Sequence, residues 1–150
     1  MKFKSSIVLF VVLFVPIKGI SQASVKEMVE TKQFVFQAQS LTPLKGSMRT
    51  LAPGYTMKVS PDTIICDLPY VGRAFQASYG SSDGGMKFHA GEYDYTVKEK
   101  KKGWTINITP KKVSGSPRVI VSVFDNGNAR VVITSTDRES ITYNGVINGG

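Results

Sequence analysis

Tyr70 and Arg73 are the side chains best suited to hold a ligand, in Leu68-Pro69-Tyr70-Val71-Gly72-Arg73-Ala74-Phe75. Two aromatics and a guanidinium surround a Pro- and Gly-bearing bend, and a turn there can aim Tyr70 and Arg73 outward together. A planar guanidinium fork suits carboxylate or phosphate, and an aromatic plane beside it suits a stacked sugar or a planar acid. Arg138, in Thr136-Asp137-Arg138-Glu139, is a third candidate for the same anionic or carbohydrate-ligand surface. The competing role for each arginine is internal: tying a loop to backbone carbonyls or to Asp62, Asp67 or Asp137.

Catalytic chemistry has fewer materials. His89 is the chain's one histidine and Cys66 its one cysteine, so the three or four such ligands of a usual zinc site are not there. No loop of alternating acids suits calcium. Ser-x-x-Lys and His-Glu-x-x-His are absent. Gly84-Gly85 is followed by no helix start and no Lys-Ser/Thr, so it is not a phosphate loop. A dyad of His89 with Glu92 or Asp94 competes with the plainer reading of a solvated strand histidine. No catalytic residue, metal or cofactor is therefore expected. Cys66 shares a strand face with Ile64 and Leu68 and is expected to be a buried, inert thiol.

Strands must position these groups. Phe34, Phe36 and Ala38 alternate with Val35, Gln37 and Gln39, and Tyr55, Met57 and Val59 with Thr56, Lys58 and Ser60. The same two-residue period runs through Tyr93–Lys98, Trp104–Thr109 and Ala129–Thr134. Such alternation marks antiparallel strands with one wet face. Val119–Phe124 is apolar on both faces apart from Ser122, which predicts a doubly covered central strand. Asp125-Asn126-Gly127-Asn128 is a hairpin signal, because Asn-Gly tolerates positive φ. Lys101-Lys102-Gly103 and Ser114-Gly115-Ser116-Pro117 mark further turns, and Ser81–Gly85 reads as a loop. Ser24 can cap a short helix, with Glu27 at the capping-box position. The expected fold is mainly β: a single antiparallel β-barrel or β-sandwich of about eight strands with a short N-terminal helix.

Met1–Ala23 carries an export signature: Lys2 and Lys4, the apolar run Ile7–Ile17, then Ser21-Gln22-Ala23 as a small-residue exit. The run is about half of the ~20 residues that span a bilayer. Residues 1–23 are therefore expected to be a removed signal peptide and residues 24–150 one β-rich domain. Three lysines and no acid leave with the signal, so the net charge falls from +8 to +5. Lys98, Lys100, Lys101 and Lys102 read as a solvated hairpin tip rather than a nucleic-acid patch.

The chain resembles a Bacteroidetes cell-envelope family described as domain of unknown function 4251. The resemblance rests on Phe34-Val35-Phe36 with Pro43 and Gly46, on Tyr55, Val59 and Asp62, and on Leu68–Phe75. Gly84–Phe88 and Asn126–Ile147 complete it, so it spans about Phe34–Ile147. Val71 stands where the family often has Phe, and Ala77-Ser78 where it often has Ala-Pro. The resemblance implies export and one β-rich domain, and it implies no reaction.

The leading expectation is an exported, periplasmic or envelope-associated module without catalytic activity, whose partner is an unknown small ligand or envelope protein. Nucleic-acid binding and stable membrane insertion are not expected. The alternatives are an envelope hydrolase using scattered carboxylates such as Asp62 and Asp67, and a structural or inhibitory protein acting through a sheet face. Mass spectrometry of the native protein should find an N-terminus at or near Ser24; a mature chain that still begins at Met1 would overturn the export reading.

Overall fold

The computed structural model describes residues 24–73 and 85–149, so the expected signal peptide and most of the expected Ser81–Gly85 loop lie outside the described residues. Helix α1 is Val25–Thr31. Strands follow as β1 Phe34–Pro43, β2 Arg49–Thr50, β3 Thr56–Val59, β4 Ile64–Leu68 and β5 Met86–Ala90. The remainder are β6 Tyr93–Lys100, β7 Gly103–Pro110, β8 Arg118–Phe124, β9 Asn128–Thr134 and β10 Ile141–Asn148.

One antiparallel sheet runs β5-β4-β3-β1-β10-β9-β8-β7-β6, with the two-residue β2 paired to β1 off this path. Every pairing is antiparallel, so β5 and β6, at the two ends of the order, point the same way. Only Gly91 and Glu92 separate them in the chain. They therefore form a single kinked stave. Its first half is bonded to β4 on one side and its second half to β7 on the other. The offset between the two halves is the stagger that closing a tilted sheet requires. The result is a nearly closed barrel of eight staves, which selects the barrel over the sandwich.

The strand periods place the core as expected in β1, β3, β4, β7 and β9. In contrast, β6 buries no residue and its Val97 is exposed, because this half-stave has a neighbour on one side only. Phe34, Phe36, Met57, Ile64 and Leu68 are fully buried, as are Ile106, Ile108, Val121, Val131, Ile133 and Ile141. Each such side chain contributes roughly 1.5–3 kcal/mol on leaving water. Gly145 has a packing reason: a Cβ there would lie 1.9 Å from the Gln37 carbonyl oxygen. β1 shifts register between Ala38 and Ser40, next to that contact. Two further expectations change. Trp104 lies on the core face but is only partly buried, because it sits at the end of β7. β8 is covered on one face only: Val119, Val121 and Val123 are buried, whereas Ile120 and Ser122 are half-buried and Phe124 is exposed. A barrel wall leaves its outer face to solvent, even where that face carries an isoleucine.

The kinked stave leaves two seams. β6 is bonded only to β7 within the sheet, and its free edge is bridged by side chains. The Tyr93 hydroxyl donates to the Ser60 carbonyl in the β3–β4 turn, and Tyr95 donates to the Val29 carbonyl of α1 over 2.7 Å. The α1 helix is seven residues long, too short to stand alone. Ser24 caps it by accepting from the Glu27 N–H, Lys32 ends it in the left-handed conformation, and Met28 and Val29 dock it into the core. The other seam, beside β5, is open.

Cys66 is buried on β4 and donates to the Met86 carbonyl over 3.2 Å. Burial pushes its thiol pKa far up, with Asp67 adding to the effect. The folded protein should therefore resist iodoacetamide at neutral pH and react after denaturation; rapid labelling of the native fold would refute this placement.

Candidate functional site

The open seam lies at the barrel end where β4, β7 and β9 finish and β5, β8 and β10 begin. Pairing between β6 and β7 continues one step beyond the strands, with the Lys111 N–H donating to the Glu92 carbonyl. Lys112 then adopts φ +55, which few non-glycine residues do. This turns the chain away from β5 and leaves a cleft of about 270 Å³ between β5, the 111–117 connection and the 135–140 connection. β5 contributes Lys87 and His89, the 111–117 connection Lys112 and Ser114, and the 135–140 connection Asp137 and Arg138. Met86, Phe88, Val113 and Pro117 supply apolar lining.

The cleft wall is rigid on the Arg138 side. The Asp137 carboxylate accepts from the Ser135 hydroxyl over 2.7 Å and lies 3.4 Å from Arg138 Nη2. Asp137 is 9% exposed, and a Cβ on Gly115 would come within 2.6 Å of its Oδ1, so it is wedged against that glycine at φ +77. Burial disfavours its charge, but the Ser135 hydrogen bond and the Arg138 guanidinium outweigh burial and lower its pKa. Arg138 Nη1 donates to the Gly85 carbonyl over 3.1 Å, and its guanidinium carbon lies 5.0 Å from the centre of the Tyr70 ring.

Tyr70 and Arg138 are thus brought together. The single Tyr70 hydroxyl proton is shared between the carbonyls of Glu139, at 2.9 Å, and Arg73, at 3.1 Å. Burial raises the Tyr70 pKa, with Arg138 opposing. Arg73 joins through its backbone: its carbonyl accepts from the Glu139 N–H, and its own N–H reaches Glu139 Oε2 at 3.4 Å. The Arg73 residue is exposed and does not line the cleft. Gly72 is required by close approach, because a Cβ there would lie 2.6 Å from the Tyr70 hydroxyl oxygen. Below this bend, the Tyr143 hydroxyl rises from the core to donate to the Pro69 carbonyl over 2.6 Å. Tyr70 and Tyr143 together pin the bend onto the 135–140 connection and β10.

Sequence reasoning singled out Arg138 and missed Lys112, His89 and Ser114 as neighbours in a cleft. The paired Lys111-Lys112 before a Ser-Gly-Ser-Pro turn was the available signal; the partnership with β5 was not encoded locally. Asp62 and Asp67 are not brought to this cleft: Asp62 sits in the β3–β4 turn, and Asp67 faces outward beside Lys87 at 3.6 Å. A second cavity of about 420 Å³ lies under α1, between Val25, Met28, Ile147 and the 126–127 turn. It is larger, but no charged side chain lines it, and its Asn148 amide is already bonded to Gln37. The seam cleft is the better candidate on chemistry. Among the described residues no three of His, Cys, Asp and Glu cluster to hold a metal ion, and no helix is long and apolar enough to cross a membrane.

Fold and cleft together define an antiparallel β-barrel domain with a basic, partly apolar recess at one end. A family model described as a domain of unknown function (DUF4251) matches residues 18–147, and the chain belongs to that family. No functionally curated protein matches it.

The lowered Asp137 pKa has a stability consequence. Its contribution is complete above the unfolded-state value near 3.8 and is lost as pH falls through the lower folded value. Asp137→Asn should cost about 1–3 kcal/mol at neutral pH, since it removes a carboxylate charge facing the mostly buried Arg138 and weakens a hydrogen bond to a charged group. It should also flatten the acid limb of the stability–pH curve below pH 4. Chemical denaturation of both proteins between pH 2 and 7 checks this, and an unchanged acid limb would reject it.

Proposed function

We propose that this protein is an exported, non-catalytic module that binds a small ligand in the seam cleft. Arg138 forms a wall of the site, and Tyr70 and Arg73 belong to the bend that backs it. The carrying observation is the recess itself: basic and hydroxyl side chains converge over an apolar lining, on a wall made rigid by Asp137, Arg138 and Tyr70. Small-ligand sites are typically apolar hollows with a few well-placed polar groups, and barrel mouths are among their preferred locations. Met1–Ala23 supports the exported setting, and among the described residues Asp137 is the one carboxylate lining the cleft, which favours binding over acid–base hydrolysis.

His89 is the only histidine in the chain and sits in this cleft, so its imidazole C–H signals are a built-in reporter. Proton NMR titration with benzoate, benzyl alcohol, inorganic phosphate and glucose tests the reading. At least one of the four should shift the His89 signals saturably and raise Tm in proportion to occupancy. If none of them moves His89, the cleft is not a small-ligand site.

A further inference from the structure

We infer that the seam cleft takes a small organic carboxylate with an apolar body, its anionic head on Lys112 and its body against Phe88 and Val113. The inference rests on the ligand-binding reading above and adds the ligand's chemical class.

The charge of the cleft is the first argument. Among the described lining residues, three basic side chains, Lys87, Lys112 and Arg138, meet one acid, Asp137. That acid is already committed to Ser135 and Arg138, so it does not neutralise Lys112. Lys87 lies toward Asp67, outside the acid–arginine pair. Among the described residues Lys112 makes no ion pair. An ammonium at the rim of a partly enclosed recess focuses positive potential into it and attracts anions.

Lys112 also holds an expensive backbone conformation. A lysine at φ +55 is strained relative to the right-handed region, and glycine avoids that strain. The turn needs only the backbone, so the lysine side chain is not there to make the turn. Beside it stands the exposed Ser114, whose hydroxyl can donate to a second carboxylate oxygen.

The lining supplies the second half of the ligand. Met86 and Pro117 are buried, while Phe88 and Val113 are half-buried and present apolar surface to the cleft. A bare inorganic anion would leave that surface wet. A neutral apolar molecule would leave the ammonium without a partner. The volume, about 270 Å³, is just below the range of drug-sized sites and suits one ring.

The same His89-monitored titration separates the possibilities. Benzoate should bind about tenfold or more tighter than both benzyl alcohol and inorganic phosphate, the scale of one charge-assisted hydrogen bond. Lys112→Gly suits the turn and should fold like the parent, yet weaken benzoate about tenfold. Lys112→Arg should retain binding within a few fold. Lys98→Gln, an equal change of charge at the far hairpin tip, should leave benzoate affinity within about twofold. Benzyl alcohol binding as tightly as benzoate would overturn the carboxylate assignment while leaving the small-ligand reading intact. Phosphate matching benzoate would overturn the apolar body, and an unchanged Lys112→Gly would overturn the role of Lys112. Silence of His89 toward every probe would instead remove the underlying reading.

Discussion

One strand serving two neighbours is the constraint on which the rest of this structure depends. A tilted sheet cannot close with its strands level; the last strand must be staggered against the first. Here the stagger is absorbed within a single stave, Met86–Lys100, which breaks at Gly91-Glu92. Its early residues complete β4 and its late residues complete β7. Each half therefore has one edge without a sheet partner. One edge becomes the docking side of α1, and the other becomes the cleft.

Tyrosine hydroxyls do much of the stitching that backbone pairing cannot. Tyr93 and Tyr95 reach from β6 to the β3–β4 turn and to α1, Tyr143 reaches Pro69, and Tyr70 reaches Glu139 and Arg73. In every case the acceptor is a main-chain carbonyl outside a strand ladder, where an unmet acceptor is costly. Each bond contributes about 0.5–1.5 kcal/mol net, but each also fixes where a connection lies. The cleft inherits its shape from two of them, because the bend at Pro69–Arg73 holds the 135–140 connection against β5.

The electrostatics follow from that placement. Asp137 is the one charged residue among the described residues that is buried, and it is tolerated because Ser135 and Arg138 satisfy it. Among the described residues, committing the one cleft carboxylate inward leaves the outward-facing charge of the recess positive. The candidate site is thus a by-product of closure, furnished with lysine, histidine and serine from one strand and two connections distant in sequence.

The amino-acid sequence by itself determined the local half of this protein. The two-residue alternation set which faces of β1, β3, β4, β7 and β9 are buried, because side-chain direction in a strand is a matter of parity. Ser24 and Glu27 determined the helix cap, and Asn126-Gly127 the β8–β9 hairpin, because both depend on a few adjacent residues. Arg138 and the Tyr70 bend stood out for the same reason. Only the tertiary structure decided that β5 and β6 are one stave, that Ile120 faces solvent despite its chemistry, and that Arg73 contributes backbone bonds rather than a cleft wall. It alone placed Lys112, His89 and Arg138 around one recess. Stagger, and the company a side chain keeps across it, arise when the sheet closes on itself, and no window of neighbouring residues records that closure.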